Sequence, residues 1–419
     1  MSSATTYSGH AEKILPGGET LVRMGKATAL VANAVPGDAL TLRLTGKRRG
    51  VMRAEIVEIV QPSAQRVQAP CPVAHACGGC ALQHITAADQ ATIKSSWVSD
   101  AFKALMREQI HWMPIQSNDN RFRRRLRWFV GHDEQGDFLG FYTPASNQAV
   151  RHGDCMAVTP ELNALRHLIE AHIKLETITS IQALQLSDGI HIILEAKLQP
   201  NNTNISHCSD FPLQWWWRDQ QHITRPFHKP VRLLHDTLPT AGVDITPAVG
   251  PDDFVQGQAA GNRELISQIQ AWAGPTHRIA DLFCGIGNLS LPLAAVTGAQ
   301  IYGAELNAAS VRAASKNAKS LGLHATFVVA NLFDAFNPEP YIGADVLILD
   351  PPRRGAKHIC QQISRLLPKK IIMVSCDAAA GARDGALLKQ HGYQLAALRA
   401  LDMFPGAGHV ETISLWLPE

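Results

Sequence analysis

The chain has 419 residues, of which 46% are hydrophobic and 18% charged, and its 39 Lys and Arg residues nearly balance 36 Asp and Glu residues. This length exceeds what one hydrophobic core usually supports, so about two or three domains are expected. The composition excludes collagen-like and intrinsically disordered proteins. The sequence shows neither a bilayer-spanning apolar run nor a secretory leader, and we therefore expect a cytoplasmic protein that does not contact membranes.

The first 60 residues predict a small all-β module. Apolar residues alternate from Leu21 to Val60, and the turn-rich stretches PGD and TGKRRG interrupt this alternation. The length suits a five-stranded barrel of the kind that binds oligonucleotides, although many short barrels only pack against a neighbouring domain. A net charge of +3 is uninformative, so any RNA contact must be local, and we favour such a contact for this barrel.

A cysteine-rich loop and a basic segment follow the barrel. Cys71, Cys77 and Cys80 lie within ten residues, in a chain with too few cysteines for a disulfide scaffold. Further on, residues 121–130 read RFRRRLRWFV and predict a strand with a basic face and an apolar face. Alternation divides its side chains into Arg121, Arg123, Arg125 and Arg127 on one face, and Phe122, Leu126 and Trp128 on the other.

The basic face of this strand needs a partner. Guanidinium groups on the same side of a strand repel one another unless phosphate or carboxylate groups lie beside them. We therefore favour phosphate binding over a merely solvated strand.

From Thr276 onward, short apolar runs alternate with helical segments. This pattern predicts a doubly wound α/β sheet with helices on both faces. Ligands in such sheets bind at the carboxyl ends of the strands. The predicted strands are RIADLF, AQIYGAEL, ATFVVANL, DVLILD, KKIIMVSC and HVETISLWL.

Polar residues lie at several of these strand ends. Gly285 and Gly287 allow a tight turn after the first strand, and Glu305 ends the second, where a carboxylate can accept hydrogen bonds from both hydroxyls of a ribose. Asn331 ends the third strand and could contact an adenine edge, while Asp350 follows the fourth. Together these residues predict a ligand that contains adenosine.

Two further residues are candidates for the chemical step. Cys376 follows the fifth strand, where a cysteine beside the cleft can be held as a thiolate nucleophile, although a cysteine in an apolar strand is more often an inert core residue. Glu411 is a carboxylate in the apolar segment HVETISLWL, and burial of such a group needs a functional reason. A general base would be one.

These motifs identify a resemblance that runs from about Leu15 to the C-terminus. The chain closely resembles the RNA uracil-C5 methyltransferases that use S-adenosylmethionine, in particular the ribosomal RNA 5-methyluridine branch with a TRAM barrel and an iron–sulfur cluster. The segments that carry the resemblance are CPVAHACGGCALQH, GFYTPASNQAVRHGDC, DLFCGIGNLSLPLA, DPPRRGA, VSCDAAAGARD and DMFPGAGHVETISL.

The resemblance implies three domains and a set of site residues. It implies a TRAM, OB-like barrel at 1–64, a central α+β iron–sulfur domain at 65–240 and a Rossmann-like class I methyltransferase domain at 241–419. Cys376 matches the nucleophile of the family and Glu411 its base. The matching cofactor positions are Gln256, Phe283, Asn288, Glu305, Asn331 and Asp350, and the matching [4Fe–4S] cysteines are Cys71, Cys77, Cys80 and Cys155. The other cysteines, Cys208, Cys284 and Cys360, match no catalytic position and are expected to be packing residues.

The implied reaction is transfer of a methyl group to carbon 5 of a uridine through a covalent bond between cysteine and carbon 6. The implied substrate is RNA, above all 23S ribosomal RNA, and one chain carries every residue needed, so we expect a monomer. A transfer RNA substrate and an RNA-binding protein with an inactive methyltransferase fold remain alternatives. Cysteine spacing alone would leave zinc and an iron–sulfur cluster equally open.

The sequence also departs from the family pattern. Asp377 replaces the asparagine that usually follows the nucleophile, Gln258 replaces an asparagine, and residues 406–408 read GAG instead of a more polar stretch. None of these changes removes a reacting group. Two related enzyme classes fit less well: cytosine-C5 methyltransferases usually place proline or threonine before or near the cysteine, and amino-group methyltransferases place an aromatic residue where Arg353 stands.

Overall fold

The computed structural model describes residues 5–107, 111–113, 122–200, 212–334 and 336–419. These residues form a closed barrel and three open sheets, with helices packed on the largest sheet. Within these ranges, no helix is long and apolar enough to cross a bilayer.

The N-terminal barrel confirms the predicted five strands, hydrogen-bonded in the order β1-β2-β3-β5-β4. Its interior is filled by small and branched side chains such as Val22, Val31 and Leu42, which alternate with solvent-facing neighbours. The strands are β1 (Thr6–Ile14), β2 (Thr20–Met24), β3 (Ala27–Val31), β4 (Ala39–Arg48) and β5 (Val51–Gln61).

A helix and a short strand follow the cysteine-rich loop. Helix α1 (Ala87–Phe102) begins at Thr86, whose side chain caps the helix by accepting a hydrogen bond from the Asp89 amide at 3.1 Å. Strand β6 (His111–Met113) lies beyond it.

The middle of the chain forms a seven-stranded sheet in the order β13-β12-β11-β10-β7-β8-β9, with one face covered by helix α2 (Pro160–His172). Its strands are β7 (Arg125–Asp133), β8 (Gly136–Tyr142), β9 (Ala149–Val150), β10 (Ile178–Gln185), β11 (Ile190–Ala196), β12 (Leu213–Arg218) and β13 (Thr224–Pro226). The strands β14 (Leu234–His235) and β15 (Ala248–Val249) pair separately.

The predicted basic strand has the expected two faces. Phe122, Leu126 and Trp128 are buried, whereas Arg127 is exposed and lies 3.3 Å from the Glu195 carboxylate. A protein carboxylate thus relieves part of the repulsion that favoured phosphate, and phosphate binding stays a prediction. Arg121 lies outside the described residues.

The C-terminal region forms an eight-stranded sheet in the order β18-β17-β16-β19-β20-β22-β21-β6. Its strands beyond β6 are β16 (Arg278–Leu282), β17 (Gln300–Glu305), β18 (Ala325–Val329), β19 (Val346–Leu349), β20 (Ile371–Ser375), β21 (Tyr393–Leu401) and β22 (Glu411–Pro418). The helices are α3 (Ala259–Ala273), α4 (Ser290–Thr297), α5 (Ala308–Ser320), α6 (Lys357–Gln361), α7 (Ile363–Leu366) and α8 (Ala378–Gln390).

The topology of this sheet fixes where a ligand can bind. The chain winds outward from β16 through β17 to β18, then returns to place β19 on the other side of β16. The strands β16, β17, β18, β19 and β20 are parallel, so all their carboxyl ends lie at one edge. In such sheets the reversal between β16 and β19 opens a crevice, which is the expected binding place. The predicted doubly wound α/β fold is confirmed.

The segment before β22 contacts three earlier parts of the chain. Gly408 O accepts a hydrogen bond from Gly17 N of the barrel at 2.8 Å, and Gly406 O accepts one from Leu82 N of the cysteine-rich loop at 2.8 Å. Gly406 N donates to the Gln90 side chain of α1 at 2.9 Å. We call residues 402–410, which make these contacts, the junction loop.

Strand β6 and helix α1 also pack on the C-terminal sheet, so structure crosses the predicted boundaries. Strand β6 pairs in parallel with β21 and completes the sheet edge. Lys94 of α1 is fully buried and donates to Asp402 at 2.8 Å and to Phe404 O at 2.9 Å. The division of the chain at residues 64 and 240 stays a prediction.

Replacement of Lys94 should strongly destabilise the protein. Lys94→Met removes the cation from a buried ion pair and leaves Asp402 with a buried charge that this cation compensated, which typically costs about 3–5 kcal/mol. Lys13→Met is the matched control, because Lys13 and Asp100 form an exposed pair whose loss typically costs under about 1 kcal/mol. Chemical denaturation of both variants measures the difference, and equal losses would contradict the role of Lys94.

Candidate active site

The turn that follows β16 has an unusual backbone conformation. Phe283 adopts a φ of +71° and Gly287 a φ of +88°. The amides of Phe283 and Cys284 both donate to Ala304 O, at 2.9 and 3.1 Å. A Cβ atom on Gly287 would lie 2.7 Å from Leu291 Cγ, so a side chain would not fit. A non-glycine residue in this conformation costs about 1–3 kcal/mol, and such strain is concentrated at functional sites.

Hydrogen bonds orient two of the predicted cofactor residues around this turn. The Glu305 carboxylate, at the end of β17, accepts from Gly285 N at 3.3 Å and from Asn307 N at 2.9 Å. The Asn288 side chain exchanges two hydrogen bonds with the Asn262 side chain, at 2.8 and 2.9 Å. Asn262 is buried on α3, so sequence reasoning missed a residue that fixes Asn288.

A cleft of about 460 Å³ opens at this edge of the sheet. It brings together residues at the carboxyl ends of five parallel strands, at the start of β22 and in the segment before α3. Of the predicted site residues, the cleft is lined by Gln256, Phe283, Asn288, Glu305, Asp350, Cys376 and Glu411. Asn331 is exposed and does not line it, although its neighbours Ala330 and Leu332 do. Strand β18 ends at Val329, two residues earlier than predicted.

Cys376 and Glu411 lie side by side because their strands are neighbours. Strand β20 ends at Ser375, which pairs with Thr412 of the antiparallel strand β22. Cys376 therefore leaves the sheet at the point where Glu411 enters it. Cys376 is half-buried, and Glu411 is buried.

Burial determines the protonation of both side chains. It raises the pKa of Glu411 to about 8, and the nearby Asp350 charge raises this pKa further, while Arg353 lowers it. Burial and the Glu411 charge raise the pKa of Cys376 to about 11, again opposed by Arg353. Near neutral pH, the unliganded protein therefore holds Cys376 as a thiol and most of Glu411 as the acid.

The expectation that Cys376 is held as a thiolate is thus wrong for the unliganded protein. Helix α8 begins at Ala378, and the preceding Asp377 caps it through a carboxylate that accepts from Ala380 N at 2.9 Å. The negative charge of this cap offsets the positive end of the helix dipole, so the dipole gives a Cys376 thiolate less support. Asp377 also explains one departure from the family pattern, since aspartate and asparagine cap helices equally well.

Sequence reasoning missed two charged residues that line the cleft. Asp281 of β16 is almost fully buried, its Oδ2 has no hydrogen-bond partner in the described chain, and burial raises its pKa to about 7. Arg353 is exposed at the rim and lies 3.3 Å from His409 of the junction loop. The signal for Asp281 was present, because an acid within the apolar run RIADLF is as anomalous as Glu411.

A second cavity, of about 180 Å³, gathers the four predicted metal cysteines. Cys71, Cys77, Cys80 and Cys155 all line it, and all four are free thiols. Among the described residues, no group of three or more His, Cys, Asp and Glu side chains is arranged to hold a metal ion. We call this space the cysteine cavity.

The remaining cysteines behave as expected where the structure describes them. Cys284 and Cys360 are buried in the cores on the C-terminal sheet, which fits a packing role. Cys208 lies outside the described residues.

Asp281 should make stability depend on pH. Its pKa is higher in the folded than in the unfolded chain, so its contribution to stability is lost as pH rises toward the folded pKa of about 7. The free energy of unfolding of Asp281→Asn minus that of the wild type should thus increase by up to about 4 kcal/mol between about pH 3 and pH 8.

Denaturation at several pH values measures this trend. Asp345→Asn is the control, because the hydrogen bond and charge of Lys369, with two backbone hydrogen bonds, lower the pKa of Asp345. The stability of this variant relative to the wild type should therefore not increase as pH rises. If the difference in free energy of unfolding between Asp281→Asn and the wild type stays constant with pH, the pKa of Asp281 is not raised in the folded chain.

Comparison with known proteins places the whole chain in one family. The family model "Methyltransferase small domain" matches residues 256–371. A 23S rRNA (uracil(1939)-C(5))-methyltransferase of Pectobacterium atrosepticum is 32% identical over 96% of this chain and 91% of its own length. The enzyme of the same name from Acinetobacter baumannii is 33% identical over 91% of this chain and 87% of its own.

A solved structure shares the fold over nearly the full length. The tRNA (uracil-54, C5)-methyltransferase of Pyrococcus abyssi, solved with S-adenosyl-L-homocysteine, matches 98% of this chain and 100% of its own with a TM-score of 0.76, at 19% identity. The sequence relatives decide the family, and the structure agrees in fold. The chain belongs to the family of RNA uracil-C5 methyltransferases.

Proposed function

We propose that this protein is an enzyme that transfers a methyl group from S-adenosylmethionine to carbon 5 of a uridine in RNA, with 23S ribosomal RNA as the substrate. The observation that carries the proposal is the position of Cys376 and Glu411 in one cleft with the predicted donor-binding residues. The proposed reaction needs a nucleophile that adds to the pyrimidine ring and a base that then removes a proton, and one cavity holds a candidate for each.

The cleft suits a positively charged donor with an adenosine group. When bound, S-adenosylmethionine would supply the methyl group. Gln256, Phe283, Asn288, Glu305 and Asp350 would hold it at the crevice where such sheets bind nucleotides. The unpartnered Oδ2 of Asp281 in the same cleft favours a cationic ligand, because a buried carboxylate needs a compensating charge.

Cys376 would act first, because carbon 5 of uracil is a poor nucleophile. The sulfur bonds to carbon 6, the electrons of the carbon 5–carbon 6 double bond move toward the carbonyl at carbon 4, and carbon 5 becomes nucleophilic enough to take the methyl group. The cysteine is a thiol and Glu411 is mostly protonated in the unliganded protein, so both side chains must release their protons to water after the substrates bind. A cationic ligand in the cleft favours this loss, since positive charge lowers the pKa of nearby acids.

Glu411 would complete the reaction. After methyl transfer, the carboxylate takes the proton from carbon 5, the double bond re-forms and the bond between sulfur and carbon 6 breaks. A pKa raised to about 8 by burial makes this carboxylate a stronger base than an exposed glutamate. The uridine must reach the cleft unstacked, as bases do when enzymes act on their faces.

The choice of RNA rests on the relatives. Those that match most of this chain are named for 23S ribosomal RNA, whereas the solved structure with the same fold is named for transfer RNA. Methylation of purified 23S and transfer RNA transcripts by the wild-type protein, followed by mass spectrometry of 5-methyluridine, separates the two substrates. That the enzyme acts as a cytoplasmic monomer, and that its TRAM barrel contacts RNA, stay predictions.

Replacement of Glu411 should trap the covalent intermediate. Glu411→Gln leaves Cys376 able to add to the ring but cannot accept the carbon 5 proton, so a protein–RNA adduct should accumulate and turnover should fall at least ~100-fold. Denaturing gels with labelled RNA detect the adduct. Cys376→Ala is the matched control and should bind the donor, form no adduct and show no turnover. An adduct with Cys376→Ala, or near-normal turnover in either variant, would contradict the assigned roles.

The four cysteines of the cysteine cavity would hold a [4Fe–4S] cluster. Zinc requires its ligands to converge on one point at about 2.3 Å from each sulfur. The four thiols surround a space of about 180 Å³, which is larger than a single ion needs and favours a cluster. No step of the methyl transfer needs an electron, so the cluster would be structural and would join the cysteine-rich loop to the Cys155 segment.

Purification without oxygen should recover iron and sulfide. We expect about four of each per chain, as in other clusters held by four cysteines. Cys155→Ser should reduce both, whereas Cys360→Ala should not, because Cys360 is buried in another core. Stoichiometric zinc without sulfide would contradict the cluster.

A further inference from the structure

Arg123 provides a buried, charged hydrogen-bond donor at the wall of the cysteine cavity. Its side chain lines the cavity together with all four cysteines. Its Nε atom is buried, and within the described chain it has no hydrogen-bond partner.

The backbone holds Arg123 firmly at this place. Its amide donates to Ala157 O at 2.7 Å, two residues after Cys155. It forms β-bridges to Val158 on one side and to Gln258 on the other. Arg123 is therefore fixed between the Cys155 segment and the segment that precedes α3.

An unpartnered arginine N–H in this place needs a physical reason. An arginine Nε–H can only donate, and a buried charged donor without an acceptor costs more free energy than a neutral one. Buried polar groups without a partner are rare and often mark an ion or group that binds there. An anion in the cysteine cavity would be such an acceptor.

His152, which also lines the cavity, does not serve as an alternative donor. Its Nε2 is buried and without a partner in the described residues, but its Nδ1 lies 2.6 Å from Gly153 O. A carbonyl only accepts, so Nδ1 carries the hydrogen, and in the neutral ring Nε2 is left as an acceptor. Arg123 is thus the side chain suited to donate into the cavity.

We propose that Arg123 donates its Nε–H to the sulfur atoms of the cluster in the cysteine cavity and stabilises the cluster's negative charge. This inference rests on the proposed cluster. A cluster held by four thiolates is an anion, and hydrogen bonds to its sulfur atoms together with nearby positive charge raise its reduction potential. Reduction adds one electron and one negative charge, so loss of Arg123 makes reduction harder and cluster release easier.

The experiment compares the clusters of three variants with that of the wild type. Arg123→Gln removes the charge and the Nε–H, and Arg123→Lys keeps the charge but lacks the planar group. Arg127→Gln is the matched control, since Arg127 is exposed on the same strand, pairs with Glu195 and does not line the cavity. Each full-length protein is reduced stepwise with dithionite and mediators, and the reduced cluster is measured by electron paramagnetic resonance.

We expect Arg123→Gln to reduce the equilibrium constant for one-electron reduction at least ~10-fold, which corresponds to a potential lowered by about 59 mV. Release of iron to a chelator should be about 10-fold faster, as is common for groups that support metal ligands. Arg123→Lys should lie between Arg123→Gln and the wild type, and Arg127→Gln should match the wild type. If Arg123→Gln does not fold, the reduction potential and the iron-release rate of Arg123→Lys test the proposal instead.

The outcomes separate this inference from the proposed cluster. Wild-type protein without iron and sulfide would overturn both. If the wild type holds a cluster, and both Arg123 variants show the same reduction potential and the same rate of iron release as the wild type, only the role of Arg123 is overturned. Equal effects of Arg127→Gln and Arg123→Gln would likewise overturn it, because the effect would then be one of overall charge.

Discussion

The antiparallel pairing of β20 and β22 is the constraint on which the site depends. It joins Ser375 to Thr412, so the residue that leaves one strand and the residue that begins the other meet at the same edge. Three strands, β17, β16 and β19, lie between β20 and the outer strand β18. A shift of β22 by one residue would turn Glu411 to the opposite face of the sheet, because side chains alternate along a strand.

The described lining of the cleft holds more acidic than basic side chains. This imbalance suits the proposed enzyme, whose cysteine becomes reactive only after both substrates bind. Burial raises the pKa values of Asp281, Asp350 and Glu411 to about 7, 6 and 8, so near neutral pH Glu411 is mostly protonated while Asp350 keeps most of its charge. Among the described lining residues, Arg353 is their cationic neighbour. A thiol in these surroundings is protected from adventitious oxidation, since reactivity follows the thiolate form. Its activation is then coupled to the arrival of positive charge in the cleft.

The sequence predicted the fold where local patterns are long and regular. The alternation in the barrel and the apolar runs after Thr276 identified their strands, and the position of Glu305 and Asp350 followed from strand ends. Strand β6 was missed because three residues carry no periodic signal, and it forms only through contact with β21. The protonation of Cys376 was predicted wrongly because it depends first on burial and then on the charges of Glu411, Arg353 and Asp350, which only the tertiary fold brings near it.

Buried charges were the other features that sequence reasoning did not reach. Arg124 lies within the basic run, yet it is buried and donates to Asp236 at 2.7 Å and to Gln256 O at 3.0 Å. A run of arginines gives no sign that one member turns inward to pair with an acid more than 100 residues away. Such pairs become visible only when the tertiary fold brings the segments together.

The contacts of the junction loop constrain the order in which the chain can fold during synthesis. It is anchored to the barrel at Gly17, to the cysteine-rich loop at Leu82 and to α1 at Gln90, all of which leave the ribosome long before Glu411 does. The N-terminal segments can therefore fold first and offer a docking surface to the last strand. A nascent or truncated chain would lack Glu411, the proposed general base, and on that proposal an incomplete copy could not complete a turnover.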